Sequence, residues 1–284
     1  MIEFAYYNGV LTPYNATCIP LSDRSVFFSD AVYDVVIGYG EKVYQLNAHL
    51  DRLLHNAERI GLSPLPTKEE LSEGINMLLS EAKANDWFML YIQLSGNGER
   101  RNHERKEREI NTLITVTECN PPAELQEIKA ITLQDIRHSI CNVKTTNLLP
   151  AVLSVEEAKR LGADIAIFHK NGVVTECSSA NVSLLVNGTV VTHPLNSEIL
   201  PGITQNNLLL ACRALNITHT CRTFTISELY EADAVMITST TKLIKICTMI
   251  DTNQLKCSGY GTVAKLFYEL KRDLYAETSG NITK

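Results

Sequence analysis

The sequence lacks several features that would assign it to a specialised class of protein. No apolar run approaches the roughly 18 residues that a membrane helix needs. The opening MIEFAYY carries an early acid and has neither a basic start nor an apolar core long enough for a secretory signal. There is no internal repeat and no low-complexity segment. These absences predict a cytoplasmic globular protein that is not bound to a membrane.

Cysteine pairs and positive charge also fall short of what a metal site or a nucleic-acid surface needs. The eight cysteines are scattered, without a Cys-x-x-Cys pair or a partnering histidine, so we predict reduced thiols, no disulfide scaffold and no metal site. The formal net charge is -6, whereas nucleic-acid binding needs a basic face. The basic loop at residues 99–109 interleaves its charges with acids, which is typical of a solvated loop. Nucleic acid is therefore not predicted as a partner.

The 284 residues are enough for two domains. Pro121 and Pro122 restrict the backbone and remove two hydrogen-bond donors, which suits a linker. We therefore predict a small N-terminal α/β domain at 1–119, a linker at 120–127 and a larger C-terminal domain at 128–284.

Periodicity and turn signals predict an α+β fold with mixed sheets in both domains. Thr67 and Glu70 have the spacing of a capping box at a helix start. Asn-Gly pairs at 171–172 and 187–188 predict tight hairpins. The predicted helices are 46–60, 67–84, 148–161, 204–215 and 262–276. The predicted strands are 3–7, 34–39, 43–45, 87–94, 110–117, 128–134, 164–169, 173–175, 182–186, 190–192 and 234–239.

One lysine and one carboxylate have a spacing that suits pyridoxal phosphate chemistry. Lys144 lies between a strand-like run and an amphipathic helix, and Glu176 follows on a second strand about thirty residues later. A lysine amine can form a Schiff base with the cofactor aldehyde. A buried carboxylate can keep the pyridine nitrogen protonated, so that the ring acts as an electron sink. Taken alone, such a pair is more typical of solvated surface groups.

Two short motifs could bind a phosphate. The run Gly202-Ile203-Thr204 precedes a helix, whose first backbone N–H groups and positive dipole end attract anions. An ordinary threonine N-cap is the alternative reading. The run Ser239-Thr240-Thr241 follows a strand, where its hydroxyls can bind phosphate oxygens or satisfy the turn backbone.

Arg101 and His103 form a third motif, in the charged loop. Two residues apart on an extended segment, they project to the same side and can hold a carboxylate. Exposed surface charge is the alternative.

In their order and spacing, these motifs resemble the fold-type IV (class IV) pyridoxal-phosphate aminotransferases, and most closely the bacterial D-amino-acid aminotransferases. The resemblance covers nearly the whole chain. It implies an α+β, two-domain fold-type IV enzyme with mixed sheets flanked by helices and with pyridoxal 5'-phosphate at the domain interface. The further matching motifs are Asp23-Arg24, Phe28-x-Asp30, His49-x-Asp51-Arg52, Asn147-Leu148-Leu149, Ser178-Ser179-x-Asn181 and Thr238-Ser239-Thr240-Thr241.

The resemblance implies a role for each matching residue. Lys144 corresponds to the catalytic lysine that binds the cofactor and moves the substrate proton. Glu176 corresponds to the partner of the pyridine nitrogen, and Arg137 is similar to the residue beside the phenolic oxygen. The other implied cofactor contacts are Arg52, Ser179, Ile203, Thr204, Ser239 and Thr240. The implied trap for the substrate carboxylate is Tyr33, Arg101 and His103, the last two reaching in from the partner subunit of a homodimer.

The activity that the resemblance implies is amino-group transfer between a D-amino acid, of the D-alanine or D-glutamate type, and a 2-oxo acid. The D-amino-acid assignment depends mainly on Arg101-x-His103. An aminodeoxychorismate lyase and a branched-chain L-amino-acid or amine transaminase of the same family remain open. A non-catalytic dimer that binds pyridoxal phosphate is a more distant alternative, against which the presence of both Lys144 and Glu176 argues.

Overall fold

The computed structural model describes residues 3–98, 100–105 and 109–279. The chain divides into two compact units. Unit 1 comprises 1–121, 143–147 and 274–284, and unit 2 comprises 122–142 and 148–273.

The division differs from the predicted domain boundaries in two respects. The segments 143–147 and 274–284 were predicted to belong to the C-terminal domain but belong to unit 1. A strand that begins at Gln126 also starts inside the predicted linker. The assignment of 143–147 to unit 1 and the early start of this strand both reflect long-range backbone pairing, which local composition does not reveal.

Unit 1 is built on an antiparallel sheet. Among the described residues, its strands follow the order β2-β1-β6-β5-β3-β4, and each pairing is antiparallel, so the predicted mixed sheet is wrong for this unit. The hairpins β1–β2, β3–β4 and β5–β6 impose this direction. Its elements are β1 (Phe4–Tyr7), β2 (Val10–Pro13), a 3-10 turn (Tyr14–Ala16), α1 (Ser25–Phe28), β3 (Ala31–Tyr39), β4 (Lys42–Val43), α2 (Leu46–Arg59), α3 (Lys68–Ala82), β5 (Trp87–Gly96) and β6 (Ile110–Glu118).

Helices α2 and α3 supply much of the core of unit 1. Apolar residues at helical spacing, such as Leu50 and Leu53 on α2 and Ile75 on α3, are buried in one cluster with Phe88 of β5. Each such side chain contributes about 1.5–3 kcal/mol by leaving water. The predicted capping box opens α3 and is confirmed, with Thr67 and Glu70 each accepting the other's backbone N–H.

The segment 143–147 joins unit 1 through the start of β3. The backbone N–H of Tyr33 donates to the carbonyl of Lys144 (2.9 Å), and that of Thr146 donates to the carbonyl of Ala31 (3.1 Å). Val143 enters the unit 1 core. The backbone of Lys144 is therefore held against β3.

Unit 2 is built on a mixed sheet, as predicted. In the part of the chain that the structure describes, the strands follow the order β12-β11-β10-β13-β14-β7-β8-β9, and β15 pairs with β14. The pairs β11–β12, β7–β14 and β7–β8 are parallel. The elements are β7 (Gln126–Gln134), α4 (Leu149–Arg160), β8 (Ile165–Lys170), β9 (Val173–Cys177), β10 (Asn181–Val186), β11 (Thr189–Thr192), α5 (Ile203–Ala214), β12 (His219–Cys221), α6 (Ile226–Glu231), β13 (Ala234–Ser239), β14 (Leu243–Ile250), β15 (Asn253–Gln254) and α7 (Tyr260–Glu277).

The local turn signals of unit 2 are confirmed, but several elements were not predicted. Both residues of each Asn-Gly pair, at 171–172 and 187–188, have positive φ and close the hairpins β8–β9 and β10–β11. Helix α6 and strand β14 were missed. Thr225 and Glu228 form a second capping box before α6, so a detectable signal was present.

Two general features of the chain bear on its environment. None of the helices among the described residues combines the length and the apolar character needed to cross a membrane. All eight cysteines lie within the described ranges and are free thiols.

Candidate active site

Lys144 presents a half-buried amine that has no counter-ion among the described residues. Its ammonium lies 4.4 Å from the centre of the Tyr33 ring. The Tyr33 ring in turn stacks on Tyr91, with centroids 5.2 Å apart and planes inclined by 21°. The hydroxyl of Tyr91 donates to Gln93 (2.7 Å). The lysine is therefore oriented by a stack of two aromatic rings and remains free to react.

A buried cluster on β3 and α2 contains Arg52. The guanidinium donates from Nε (2.8 Å) and Nη2 (2.7 Å) to the carboxylate of Asp34, which is inaccessible to solvent. The Nδ1–H group of His49 donates to the same carboxylate (2.8 Å), because an ionised carboxylate can only accept. Burial raises the pKa of Asp34, but the hydrogen bond from His49 and the charge of Arg52 outweigh it and hold this pKa well below its usual range.

His49 is neutral in this setting. Burial lowers its pKa, and the charges of Arg52 and Lys144 lower it further, against the opposing effect of Asp34. With His49 neutral, the single negative charge of Asp34 matches the single positive charge of Arg52. The described ion pair in this cluster therefore joins one negative charge to one positive charge.

Unit 2 carries a different buried cluster, centred on Arg137. Its guanidinium donates to Asp135 from Nε (3.0 Å) and Nη2 (2.7 Å), and from Nη1 to Glu176. Thr175 also donates to Asp135 (3.0 Å). Burial raises the pKa of Asp135, but the hydrogen bonds and the charge of Arg137 lower it below its ordinary value, so Asp135 is ionised. Two carboxylates thus share one guanidinium.

The second oxygen of Glu176 is held by two donors. Asn181 Nδ2 donates to it (3.1 Å), as does the backbone N–H of Leu200 (3.0 Å). The same Asn181 amide also donates to the carbonyl of Leu200 (2.9 Å). A buried carboxylate fixed at both oxygens has a defined direction in which to accept a further hydrogen bond.

Asn181 also brings the start of α5 and the end of β13 to this carboxylate. A Cβ atom on Gly202 would lie only 2.0 Å from Asn181 Oδ1, so the contact requires glycine. Asn181 pairs with Thr238 across β10 and β13. Sequence order leaves these elements apart, and the sheet register brings them to one end of unit 2.

The predicted phosphate contacts of unit 2 lie at these element ends. Ile203 and Thr204 open α5, which has no capping side chain, so its first backbone N–H groups can bind an anion. Ser239 ends β13, and Thr240 lies in the turn to β14, where the N–H of Lys242 donates to Ser239. The exposed Ser179 lies in the turn between β9 and β10. Three buried polar atoms in these segments have no hydrogen-bond partner among the described residues. They are Ser178 Oγ, Gln205 Oε1 and Thr238 Oγ1.

The predicted carboxylate trap is only partly assembled within one chain. Arg101 lies over the Phe28 ring (5.4 Å to its centre), and the His103 ring lies 5.2 Å from the same ring. Tyr33 contacts neither of them in the described part of the chain and instead stacks on Tyr91. The structure therefore brings two of the three predicted residues together.

These features fit pyridoxal phosphate. Lys144 is an amine without a counter-ion among the described residues, the start of α5 is an uncapped anion site, and Glu176 shares the guanidinium of Arg137 with a second carboxylate, that of Asp135. A buried negative charge is costly unless a cation compensates for it. A protonated pyridine nitrogen is such a cation.

Sequence reasoning missed several residues that complete these clusters. Asp34, His49, Asp135 and Asn181 were not predicted as site residues, and Arg137 was expected beside the phenolic oxygen of the cofactor. The structure shows that Arg137 binds Asp135 and Glu176. Asp34 and Asp135 carry no distinctive local pattern. Their signal is burial of an acid, which becomes visible only in the fold.

The chain is similar to known proteins along most of its length. The family model described as amino-transferase class IV matches residues 31–250. A D-alanine aminotransferase of Staphylococcus epidermidis is 33% identical over 264 residues, which cover 92% of this chain and 93% of the relative.

Solved structures share the fold. A branched-chain aminotransferase of the archaeon Thermoproteus uzoniensis has a TM-score of 0.88 at 23% identity and covers 97% of this chain and 96% of its own. A branched-chain amino acid aminotransferase of Thermobaculum terrenum in its PLP form has a TM-score of 0.85 at 19% identity and covers 98% and 96%. At these identities the likeness concerns the fold alone.

Proposed function

Because the chain belongs to the class IV aminotransferase family, we propose that it transfers the amino group between a D-amino acid, of the D-alanine or D-glutamate type, and a 2-oxo acid. The family resemblance read from the sequence is confirmed, together with the fold type, the enzyme class and pyridoxal phosphate as the cofactor. One observation carries the choice of substrate, namely the 33% identity to a D-alanine aminotransferase over 92% of the chain.

We propose that Lys144 is the catalytic residue. When bound, pyridoxal phosphate supplies an electron sink for the negative charge that develops at the substrate α-carbon. Lys144 Nζ is the attachment point for the cofactor aldehyde and the base that moves the proton at that carbon. The stack of Tyr33 on Tyr91 orients the amine, and the absence of a counter-ion among the described residues leaves it available for both tasks.

Glu176 is proposed to hold the proton on the pyridine nitrogen. Its carboxylate shares the Arg137 guanidinium with Asp135, and a nearby carboxylate favours the protonated form of the ring nitrogen. In this proposal Arg137 acts through Glu176, since its donors are directed at the two carboxylates and at the carbonyl of Glu198.

The remaining predicted residues are proposed to bind the phosphate group and the substrate. Arg52 supplies a charged donor, and the start of α5 supplies backbone N–H groups. The proposed cofactor contacts are Arg52, Ser179, Ile203, Thr204, Ser239 and Thr240. The proposed carboxylate trap is Tyr33, Arg101 and His103.

We further propose that the enzyme is a homodimer in the cytoplasm. The free thiols agree with a reducing compartment. If Arg101 acts in the partner's site, then mixing inactive Lys144→Ala protein with the impaired Arg101→Ala protein and allowing subunits to exchange raises activity above that of the unmixed proteins. Each mixed dimer then contains one site with both residues intact. Failure to recover activity after demonstrated exchange contradicts this arrangement.

The substrate proposal is tested with separate D- and L-alanine incubations. We expect D-alanine, without an acceptor, to convert the visible spectrum of the bound cofactor to that of its amine form and to release one pyruvate per site. L-alanine is expected to leave the spectrum unchanged. The reverse selectivity would favour the branched-chain L-amino-acid alternative. Release of pyruvate from aminodeoxychorismate alone would favour the lyase.

A further inference from the structure

We infer that Arg24 and Asp30 are positioning residues for the substrate carboxylate, because they hold the loop that carries Arg101 and His103. This inference rests on the proposed function, in which those two residues bind the carboxylate. Arg24 and Asp30 are not proposed to contact substrate or cofactor.

The turn that carries Arg24 is anchored by the preceding residue. Asp23 is 1% exposed, and its carboxylate accepts hydrogen bonds from Tyr7, from Ser95 and from both the backbone N–H and the hydroxyl of Ser25. The backbone N–H of Arg24 donates to Gly96 at the end of β5 (2.9 Å). Arg24 therefore starts from a rigid base.

Arg24 connects this base to the backbone of the loop. Its Nη1 donates to the carbonyl of Asn102 (2.6 Å) and its Nη2 to that of His103 (3.2 Å), while Nε donates to Asp30 (2.7 Å). The guanidinium side chain is 7% exposed. The planar guanidinium binds two successive carbonyls. It therefore fixes the loop at Asn102, which lies between the two proposed trap residues, and at His103, which is one of them.

Asp30 binds Arg105, which is an arginine of the same loop. Arg105 donates to both oxygens of Asp30 and also to the carbonyl of Ile60 (2.6 Å). Burial raises the pKa of Asp30, but the hydrogen bonds and charges of Arg105 and Arg24 lower it below its ordinary value. The carboxylate is therefore ionised at neutral pH and holds the loop directly through Arg105 and indirectly through Arg24.

The side chains of Arg101 and His103 both contact Phe28, which also contacts Arg24. The Phe28 ring contacts both arginines, with the Arg24 guanidinium 4.6 Å from its centre and that of Arg101 5.4 Å from it. We call the contacts of Arg24 and Asp30 with this loop the clamp. A cavity of about 430 Å³ beside it is lined by residues that include His103 and Thr145, the neighbour of Lys144. In this inference, the clamp fixes the position and orientation of the Arg101 and His103 side chains.

Little room exists for the clamp to move. A Cβ atom on Gly96 would lie 3.2 Å from Arg24 Cδ and 3.2 Å from Asp30 Oδ2. The N–H of Gly96 also donates to the carbonyl of Asp30 (3.1 Å). Gly96 therefore lets the end of β5 pack directly beneath both residues.

Arg24→Lys tests the inference in the holoenzyme. Lysine keeps the charge opposite Asp30 but cannot bind two carbonyls with a planar fork. We expect the backbone amide of Glu104, whose N–H donates to Oδ1 of the clamped Asn102, to exchange hydrogen about ten- to a hundredfold faster, with the cofactor content and visible spectrum unchanged. We expect KM for D-alanine to rise by about tenfold or more while kcat changes little, which is the signature of lost binding common to ground and transition states. Arg100→Lys, at an exposed arginine of the same loop that lacks contacts in the described structure, is the matched control.

A double variant decides whether the effect passes through the trap. In an Arg101→Ala background, Arg24→Lys is expected to raise KM much less than it does alone, because the residue that it positions is absent. Fully additive effects, or unchanged hydrogen exchange in Arg24→Lys, overturn the inference. If exchange accelerates but KM for D-alanine stays at the wild-type value, the positioning role is also overturned. If the wild-type enzyme does not use D-amino acids, the proposed function fails, and hydrogen exchange alone then decides whether the clamp holds the loop.

Discussion

The two units each bury an arginine–carboxylate cluster, but the clusters differ in net charge. In unit 1, the described ion pair of Arg52 is with the carboxylate of Asp34, which also accepts from neutral His49 and from the backbone N–H of Val35. In unit 2, Arg137 faces two carboxylates, those of Asp135 and Glu176. The described ion pairs join one guanidinium to one carboxylate in the first cluster, called the balanced cluster, and one guanidinium to two carboxylates in the second, called the unbalanced cluster.

The comparison distinguishes an ion pair that stabilises the fold from a charge that a ligand can neutralise. A balanced buried pair stabilises the fold and costs much to break, whereas an unbalanced one is costly until a cation arrives. Unit 1 has its uncompensated charge elsewhere, on Lys144, which is positive and has no ion pair among the described residues. Opposite residual charges suit an amine that must react and a carboxylate that must hold a ring proton.

The largest expected effect is that of removing the uncompensated cation. We expect Lys144→Ala to lower turnover by at least about 10⁴-fold, because attachment and proton transfer depend on one amine. Steady-state kinetics, visible spectra and borohydride trapping of the cofactor measure this. Lys159→Ala, at an exposed position on α4, is the control and is expected to behave as wild type. Borohydride trapping in Lys144→Ala at the wild-type level contradicts the assignment.

Breaking the balanced cluster is expected to affect folding most. Asp34→Asn leaves Arg52 buried without its charge partner, so the free energy of unfolding is expected to fall by about 3–5 kcal/mol. Denaturant unfolding of the apoenzyme measures it. Asp51→Asn removes an exposed ion pair with Lys68 on the surface and is expected to cost less than about 1 kcal/mol. Equal losses for the two variants would show that Asp34 does not stabilise the fold as a buried partner.

In the unbalanced cluster, loss of a carboxylate is expected to affect turnover much more than stability. Glu176→Gln leaves Arg137 paired with Asp135, so the stability of the apoenzyme is expected to change by less than about 1 kcal/mol. Turnover is expected to fall by about a hundredfold, because an unprotonated ring stabilises the carbanion poorly. Unfolding of the apoenzyme and single-turnover kinetics with equal cofactor content measure the two effects. A normal rate with normal cofactor content assigns Glu176 a structural role.

The proposed trap lies outside both clusters and is expected to have a smaller effect. Loss of one charge-assisted hydrogen bond lowers kcat/KM by about ten- to a hundredfold at about 1.4 kcal/mol per tenfold. We therefore expect this loss for D-alanine in Arg101→Ala and in His103→Ala. The visible spectrum is the internal control and is expected to stay unchanged. Wild-type kinetics with D-alanine in both variants exclude the trap.

The smallest effect concerns the pH dependence of the balanced cluster. The folded-state pKa of His49 is lowered, so the unfolded chain binds the proton more readily. Stability is therefore expected to decrease as pH falls through about 6.5, the ordinary value, towards the lowered one. His49→Gln is expected to reduce this slope in denaturant unfolding measured between pH 7 and 5. His55→Gln, at an exposed position of the same helix, is the control and is expected to keep the wild-type slope.

The sequence predicted local features better than the partners of individual side chains. The capping box at Thr67 and the Asn-Gly hairpins at 171–172 and 187–188 are present because neighbouring residues alone determine them. The missed helix α6 had the same kind of signal at Thr225. Strand β14 was missed although its apolar sequence LIKICTMI is typical of a buried strand.

Partners distant in sequence could not be read in this way. Arg137 and Glu176 are 39 positions apart, and Arg24 and Asn102 are 78 apart. A side chain's contacts at such separations depend on which strands pair and in which register. The family resemblance supplied roles for Lys144 and Glu176, but it gave no role to Asp30 and did not include Asp135.

By itself, the sequence determined the capping box at Thr67 and the tight hairpins, because each depends on residue type and short spacing. Only the tertiary structure decided that residues 143–147 join unit 1, since that assignment depends on backbone hydrogen bonds to β3. It also decided the charge balance of the two clusters. Whether a buried arginine meets one carboxylate or two is set by packing between distant segments, and that number determines whether the cluster stabilises the fold or awaits a cation.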